Sequence, residues 1–179
     1  MAQKLGNRMG VTPVRRALKA SSFLQGKVRD GLDAVKSAHH KYIDERIRPE
    51  FADTLDLDVA MKGDNPQENR WDYLLGHREG DMVVGLEPHS AKKDQITTII
   101  NKKAAAVTQL GPHLEKRGRV AAWLWVASGA VYFADTETAR RRLDQNGIKF
   151  VGKKVLAKHL PQAGGSSQRN TIPKLKRRS

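Results

Sequence analysis

Short apolar runs alternate with amphipathic segments through the second half of the chain, and this alternation constrains the fold more than any other feature. The runs of strand length cover residues 71–75, 82–86, 119–133 and 148–156. Between them, residues 92–110 and 136–145 carry apolar side chains at helical spacing. Strands joined through helices form a sheet with helices packed on it, so the pattern predicts an α/β fold.

A further helix is predicted before the first of these runs. The apolar positions of residues 24–48 recur at helical intervals, and Pro49 would end that helix. Residues 76–81 are polar and contain glycine, which predicts a hairpin turn between the first two strands. The expected order is therefore helix, strand, strand, helix, strand, helix, strand (αββαβαβ), with a small mixed sheet flanked by helices.

The sequence predicts one domain between two basic, flexible segments. Its 179 residues suffice for one core of ordinary size. Residues 1–22 are rich in basic side chains and predict a flexible arm, while residues 161–179 are basic, of low complexity and typical of a disordered tail. The single α/β domain is expected to cover residues 23–160.

Charge and composition narrow the class of partner. The net charge of +14 indicates an acidic partner, most often nucleic acid. Since the chain contains no cysteine, a disulfide framework, a cysteine-based zinc site and a thiol nucleophile are excluded. No apolar run approaches the length needed to cross a bilayer, and the first residues lack the apolar centre of a secretory signal. We therefore expect a cytoplasmic protein that binds nucleic acid and does not span a membrane.

Acidic residues are concentrated in one segment of this basic chain. Residues 53–89 contain nine Asp and Glu against three Lys and Arg, a composition that is also ordinary for a solvated loop. Within the segment, Asp72 begins one predicted strand and Glu87 closes the next, so a hairpin would bring their carboxylates together. Two converging carboxylates repel unless a cation lies between them, and Mg²⁺ is commonly held by one or two carboxylates with phosphate oxygens and water. The sequence therefore predicts a site for Mg²⁺ or Mn²⁺ at Asp72 and Glu87.

Two basic side chains are placed to approach these acids. His89 lies two residues after Glu87 and shares its face of the sheet if the strand continues through Pro88. Lys103 falls near the centre of the apolar face of the helix 92–110. There its ammonium must either pair with a carboxylate such as Glu87 or reach water at the edge of the helix. His89 and Lys103 are therefore candidate catalytic groups that would orient a water molecule or stabilise developing charge.

An acid at the start of one strand, an acid closing the next and a nearby lysine resemble the PD-(D/E)xK nuclease superfamily. The resemblance covers residues 28–133 at most and lies in topology and short motifs. It implies an αβββαβ core, Mg²⁺ bound by the two acids, and cleavage of nucleic-acid phosphodiesters. Asp72 would correspond to the first acid and Glu87 to the second.

The resemblance departs from the family pattern at one position. His89 stands where the family has its lysine. In some members the lysine lies on the following helix, and Lys103 fits that arrangement. Gln95, early in the same helix, resembles a glutamine found there in exonuclease-like members.

A second set of candidates consists of basic side chains expected to contact phosphate. They are Lys92, Lys93, Lys102, Arg140, Arg141, Arg142, Lys153 and Lys154. The leading hypothesis is a metal-dependent nuclease or nuclease-like protein acting on DNA or RNA. The alternatives are a non-catalytic nucleic-acid-binding or assembly protein with the same fold, which could form homo-oligomers, and an interaction or toxin protein that binds an acidic protein partner.

Overall fold

The computed structural model describes residues 10–63, 67–132 and 137–162, and a six-stranded sheet forms its centre. The strands are β1 (Arg29–Asp30), β2 (Phe51–Asp56), β3 (Tyr73–His77), β4 (Met82–Ala91), β5 (Val120–Val131) and β6 (Ile148–Phe150), in this order across the sheet. The α-helices are α1 (Pro13–Ala17), α2 (Leu57–Met61), α3 (Gln95–Leu110) and α4 (Glu137–Gln145). Short 3₁₀-helices cover Phe23–Lys27, Ser37–Tyr42, Glu45–Glu50, Gly111–His113 and Ala157–His159.

The topology joins an antiparallel half to a parallel half. Strands β1 to β4 pair antiparallel, whereas β4, β5 and β6 pair in parallel. Parallel neighbours need a crossover of about a dozen residues or more, and α3 and α4 lie in these two crossovers. The predicted α/β class, with a small mixed sheet flanked by helices, is confirmed. Among the described residues, no helix has the length and apolar character needed to cross a bilayer.

The two faces of the sheet bury separate hydrophobic clusters. One face carries Trp123 and Trp125, and α3 and α4 cover it. On the other face, Leu124 and Val126 pack against the 3₁₀ segments of residues 37–50. Both tryptophans are buried, with 7% and 0% of their surface exposed. Along β5, side chains therefore alternate between a face covered by α-helices and a face covered by irregular segments.

The long helix predicted over residues 24–48 is wrong. The segment forms short 3₁₀-helices and the two-residue strand β1. Gly31 has a φ of +53°, a left-handed conformation that interrupts a helix. Leu24, Tyr42 and Ile47 are each buried from a different 3₁₀ turn. Short turns separated by extended residues thus place apolar side chains in the core at sequence intervals similar to those of an amphipathic helix.

Strand β2 lies in a stretch whose composition suggested an acidic loop. Asp53 in this strand is fully buried. Its carboxylate accepts the backbone N–H groups of Val14 at 3.1 Å and Arg15 at 3.0 Å, and the hydroxyl group of Thr12, at the start of α1. A carboxylate at a helix N-terminus is satisfied by these donors without water, so an acid can occupy a buried strand.

The same contacts order part of the predicted basic arm. Residues 10–22 are described, and Val14 and Leu18 are only 0% and 2% exposed. For these residues the prediction of a flexible arm is wrong, because α1 is capped by Asp53 and packs its apolar side chains into the core. The rest of the arm, the predicted tail beyond residue 162, and residues 133–136 before α4 lie outside the described residues.

Gly76 on β3 is expected to tolerate no side chain. A Cβ atom there would overlap Oδ1 of Asp53 and approach the Cβ of Pro13 at 3.1 Å. We expect Gly76→Ala to lower the free energy of unfolding by about 1–3 kcal/mol, because it displaces the carboxylate that holds α1. Urea denaturation measures this change, with Gly26→Ala as the control, since a Cβ at Gly26 has no atom within 4 Å. Equal stability of the two variants would contradict the close packing at Gly76.

Candidate active site

Asp72 and Glu87 face each other across the β3–β4 hairpin. Tyr73 pairs with Leu86, so the residue that precedes β3 lies opposite Glu87 of β4. Oε2 of Glu87 accepts the backbone N–H of Asp72 at 2.9 Å. The structure therefore brings together the two acids that were selected from the sequence.

The pair lies in the half of the sheet nearer the carboxyl ends of the parallel strands. Glu87 lies within β4, four residues before the strand ends at Ala91, and Asp72 directly precedes β3. Helix α3 then returns across the face that carries Trp125, and Glu87 is buried there. In open α/β sheets, ligand sites lie outside the carboxyl ends of parallel strands, and the exposed Lys92 and Lys93 follow β4 at that end.

Lys102 of α3 is the partner of Glu87, an acid that is 0% exposed. The Lys102 ammonium donates to Oε1 of Glu87 and lies 3.4 Å from Oδ1 of Asp72. A buried carboxylate is costly when isolated and tolerated when it is paired and hydrogen-bonded. Because one ammonium contacts both carboxylates, the two acids are within reach of a single cation.

The Asp72 carboxyl has a strongly raised pKa. Burial raises this pKa, and the charge of Glu87 raises it further, to about 7, although the Lys102 ammonium acts in the opposite direction. Burial lowers the pKa of Lys102, but the attraction of Glu87 and Asp72 outweighs burial, so its pKa is raised. Near neutral pH the site therefore holds a charged lysine beside a carboxyl close to its titration point.

His89 joins the cluster from the same face of β4. Its Nδ1 lies 3.4 Å from Oε1 of Glu87, and its Nε2 lies 2.9 Å from Oε1 of Gln95, the first residue of α3. The hydrogen bond to Glu87 raises the pKa of His89, burial opposes this, and the contact with Gln95 raises it again. His89 is thus held between Glu87 on its own strand and the first residue of α3.

Lys103, the lysine selected from helical periodicity, is directed away from the acids, so its predicted pairing with Glu87 is wrong. Its ammonium donates to the backbone carbonyl of Asn146, just beyond α4. The same ammonium lies 6.0 Å from the centre of the Trp123 ring. Lys103 therefore ties α3 to the end of α4 and takes no part in the acidic cluster.

The orientation of α3 explains why Lys102 replaces Lys103. Val107, which the periodicity placed on the apolar face, is 51% exposed, whereas Ala106 is fully buried. The buried arc of α3 is accordingly rotated by roughly 40° toward Lys102, at 100° per residue. Lys102 was predicted from the sequence to contact phosphate; its ammonium pairs with Glu87 and Asp72, and a contact with phosphate stays a prediction.

The other predicted phosphate-binding side chains are exposed. Lys92 and Lys93 follow β4, Arg140, Arg141 and Arg142 lie on α4, and Lys153 and Lys154 follow β6. Arg141 pairs with Glu137 at 2.8 Å, and Arg142 donates to the Thr97 hydroxyl at 2.9 Å. Lys153 lies beside Lys41 and Tyr42, on the face of the sheet opposite Trp125. Contact of these side chains with phosphate stays a prediction.

The acids provide the minimum donor set that Mg²⁺ accepts. Within residues 10–63, 67–132 and 137–162, no group of three or more His, Asp or Glu side chains is arranged to hold a metal ion. An ion at Asp72 and Glu87 would therefore take its other ligands from water and substrate oxygens, as Mg²⁺ commonly does.

Comparison with known proteins adds no family to this description. No family model, curated protein or solved structure matched the chain. The fold and site define an α/β protein in which two acids, a lysine and a histidine cluster where the β3–β4 hairpin meets α3.

Proposed function

We propose that the chain is a Mg²⁺- or Mn²⁺-dependent hydrolase of nucleic-acid phosphodiesters, with Asp72, Glu87, His89 and Lys102 as its active site. The observation that carries the proposal is the convergence of two carboxylates on one cation, the Lys102 ammonium. Lys92 and Lys93, which follow β4 after Glu87, are exposed. A positive surface binds a polyanion. Paired carboxylates can in addition hold a divalent cation, which this hydrolysis requires and simple phosphate binding does not.

Each side chain of the cluster has a role in this proposal. Asp72 and Glu87 would hold the ion, which when bound polarises a phosphoryl oxygen and lowers the pKa of a water molecule. Lys102 would stabilise the negative charge that develops on the phosphoryl group. His89, held between Glu87 and Gln95, would orient the water or stabilise the same charge.

The order of elements supports the resemblance to PD-(D/E)xK nucleases. Strands β2, β3 and β4, helix α3 and strand β5 follow one another as in the βββαβ part of that core. The lysine on the following helix is Lys102 in place of Lys103. The leading helix of the family is not formed here, since 3₁₀ turns precede β2. A cytoplasmic location fits a cysteine-free protein with this role.

A second candidate is a protein that keeps the fold for nucleic-acid binding alone. The observation in its favour is that Lys102 already neutralises the acids, so that the cluster satisfies itself without a metal ion. Buried ion pairs of this kind also occur as purely structural features. The two candidates predict different responses to divalent ions.

Divalent ions are expected to switch on cleavage. The full-length protein is incubated with labelled single-stranded and duplex DNA and RNA in Mg²⁺, in Mn²⁺ and in EDTA. We expect cleavage with either ion and none in EDTA, together with a rise in melting temperature on addition of Mg²⁺, because an ion that binds the folded state stabilises it. Nucleic-acid binding without cleavage, together with a melting temperature that does not change on addition of Mg²⁺, would reject the proposed hydrolase activity. It would favour a protein that only binds nucleic acid.

A further inference from the structure

A cleft of about 500 Å³ lies between α1, the first residues of β4 and the loop that leads into β5. The buried Pro13 and Val83 form its inner wall, and Ala17, Met82 and Ala121 complete its apolar lining. Its volume falls within the range of about 300–1,000 Å³ that small-molecule sites occupy. The cleft is therefore large enough to hold a small organic ligand against an apolar wall.

The cleft is separate from the candidate active site. Met82 and Val83 are the first two residues of β4, and Val83 precedes Glu87 by four residues. At about 3.3 Å per strand residue, Val83 lies about 13 Å from Glu87 along the strand. Because β4 and β5 are parallel and the cleft lies at the first residues of both, it occupies their amino ends.

The charged lining of the cleft carries more positive than negative charge. Its members are Arg16, Arg117, Arg119, Asp81 and Glu115. Arg16 pairs with Asp81, and the two charges compensate each other. Within the part of the chain that the structure describes, the guanidinium groups of Arg117 and Arg119 pair with no acid, and both residues are exposed. This leaves two cations against Glu115. The balance is not reversed by the charged residues next to the lining in the sequence, which are Arg15, Glu79 and Lys116.

Arg117 and Arg119 lie in a turn that is anchored on α1. The backbone N–H of Glu115 donates to the carbonyl of Ala17 at 2.8 Å, and the N–H of Gly118 donates to the carbonyl of Glu115 at 2.8 Å. A Cβ atom on Gly118 would overlap the carbonyl oxygen of Ala17, so a glycine is needed for this close approach. The backbone that carries the two arginines is therefore in place before a ligand binds, which lowers the cost of ordering it.

Guanidinium groups beside an apolar wall favour a ligand that combines an anionic group with a flat ring. Arginine binds phosphate oxygens through two parallel hydrogen bonds, and burial of the ring against apolar side chains removes it from water. Inorganic phosphate would leave the apolar lining without a partner, and a neutral apolar molecule would leave the arginines without one. A nucleotide carries both groups.

We infer that this cleft binds a nucleotide, with its phosphate on Arg117 and Arg119 and its base against the apolar lining. The nucleotide is either a free mononucleotide or part of a nucleic-acid strand, since both present the same phosphate and base. The inference goes beyond the proposed function, because the cleft contains none of the proposed active-site residues and needs no divalent ion.

Isothermal titration calorimetry of the full-length protein in EDTA tests the inference. The probes are thymidine monophosphate, a short single-stranded oligothymidylate and inorganic phosphate. We expect Arg117→Ala and Arg119→Ala each to weaken nucleotide binding by about five- to 50-fold, because each removes a charge-assisted hydrogen bond to phosphate. The matched control is Lys116→Ala, which removes the same charge from the same turn, although Lys116 does not line the cleft.

The probes distinguish the two sources of the nucleotide. Arginine-dependent binding of thymidine monophosphate would identify a free nucleotide as ligand, and arginine-dependent binding of oligothymidylate alone would identify a nucleotide within a strand. The inference is overturned if no probe binds, if both arginine variants keep the wild-type affinity, or if Lys116→Ala causes an equal loss. Inorganic phosphate bound as tightly as the nucleotides would also overturn it, since the base would then contribute nothing.

The outcome is independent of the proposed hydrolase activity, because EDTA removes divalent ions and cleavage is measured separately in Mg²⁺. Arginine-dependent binding without cleavage would reject the hydrolase and sustain the nucleotide site. Cleavage together with nucleotide binding that is unchanged in both arginine variants would do the reverse.

Discussion

Replacing Lys102 with methionine is expected to lower the free energy of unfolding by about 3–5 kcal/mol near neutral pH. Glu87 is 0% exposed. The Lys102 ammonium contacts both acids, at Oε1 of Glu87 and Oδ1 of Asp72. Methionine keeps the apolar stem of the side chain and removes the charge, so Glu87 would be left buried beside a second acid, with the His89 ring nitrogen at 3.4 Å as its remaining basic neighbour. Urea denaturation at neutral pH measures the loss.

Two further variants make this prediction specific. Lys103→Met is the matched control, because Lys103 is the adjacent residue of α3 and its ammonium donates to a backbone carbonyl, that of Asn146; we expect a loss below about 1.5 kcal/mol. Adding Glu87→Gln to Lys102→Met should restore much of the stability, since removing both charges is far less costly than removing one. Equal losses in the two lysine variants would show that α3 is not oriented as described.

Much of the fold could be predicted because the second half of the chain is governed by local patterns. The polar turn between β3 and β4 and the amphipathic spacing of α3 and α4 each specify an element without reference to the rest of the molecule. Asn146 and Gly147 directly follow α4, and Gly147 has a φ of +62°, which suits a glycine after a helix. The hairpin then determines the register that sets Asp72 opposite Glu87.

The parts that could not be predicted depend on contacts between distant residues. Asp53 is buried because α1, about forty residues earlier, supplies the N–H groups that its carboxylate accepts. Nothing near Asp53 in the sequence indicates these donors, and its strand therefore resembles an acidic loop. The 3₁₀ turns before β2 are likewise shaped by the sheet against which they pack.

The identity of the site lysine was missed for a related reason. Periodicity gives the width of an apolar arc on α3, but the rotation of the helix about its axis is fixed by packing on the sheet. A rotation of roughly 40° is enough to exchange the roles of Lys102 and Lys103, at 100° per residue. The sequence did contain one signal for this lysine, the acid Glu87 on the preceding strand. A buried acid requires a cation, and Lys102 and Lys103 were both candidates for it.

Replacing Asp72 with asparagine is expected to change the pH dependence of stability and to abolish cleavage. Folding raises the pKa of Asp72 from 3.8 to about 7, so its neutral form is favoured in the folded state. The stability this provides is complete below the unfolded pKa and is lost as the pH rises through the folded one. Between about pH 5 and about pH 8, the wild type should lose about 2–3 kcal/mol relative to Asp72→Asn, which cannot ionise. Urea denaturation across this range, compared between the two proteins, measures the difference.

The same variant tests the proposed function. Asparagine preserves the shape of Asp72 and can still accept from Lys102, but it lacks the charge needed to hold Mg²⁺ with Glu87. Cleavage should therefore fall by about two to three orders of magnitude, while binding of nucleic acid in EDTA should be retained because it depends on the basic side chains. Asp94→Asn is the control, since Asp94 is an exposed acid at the start of α3 whose side chain makes no capping hydrogen bond. Full cleavage by Asp72→Asn would remove Asp72 from the active site, and an unaltered pH dependence would show that the carboxyl is not held between Glu87 and Lys102 as described.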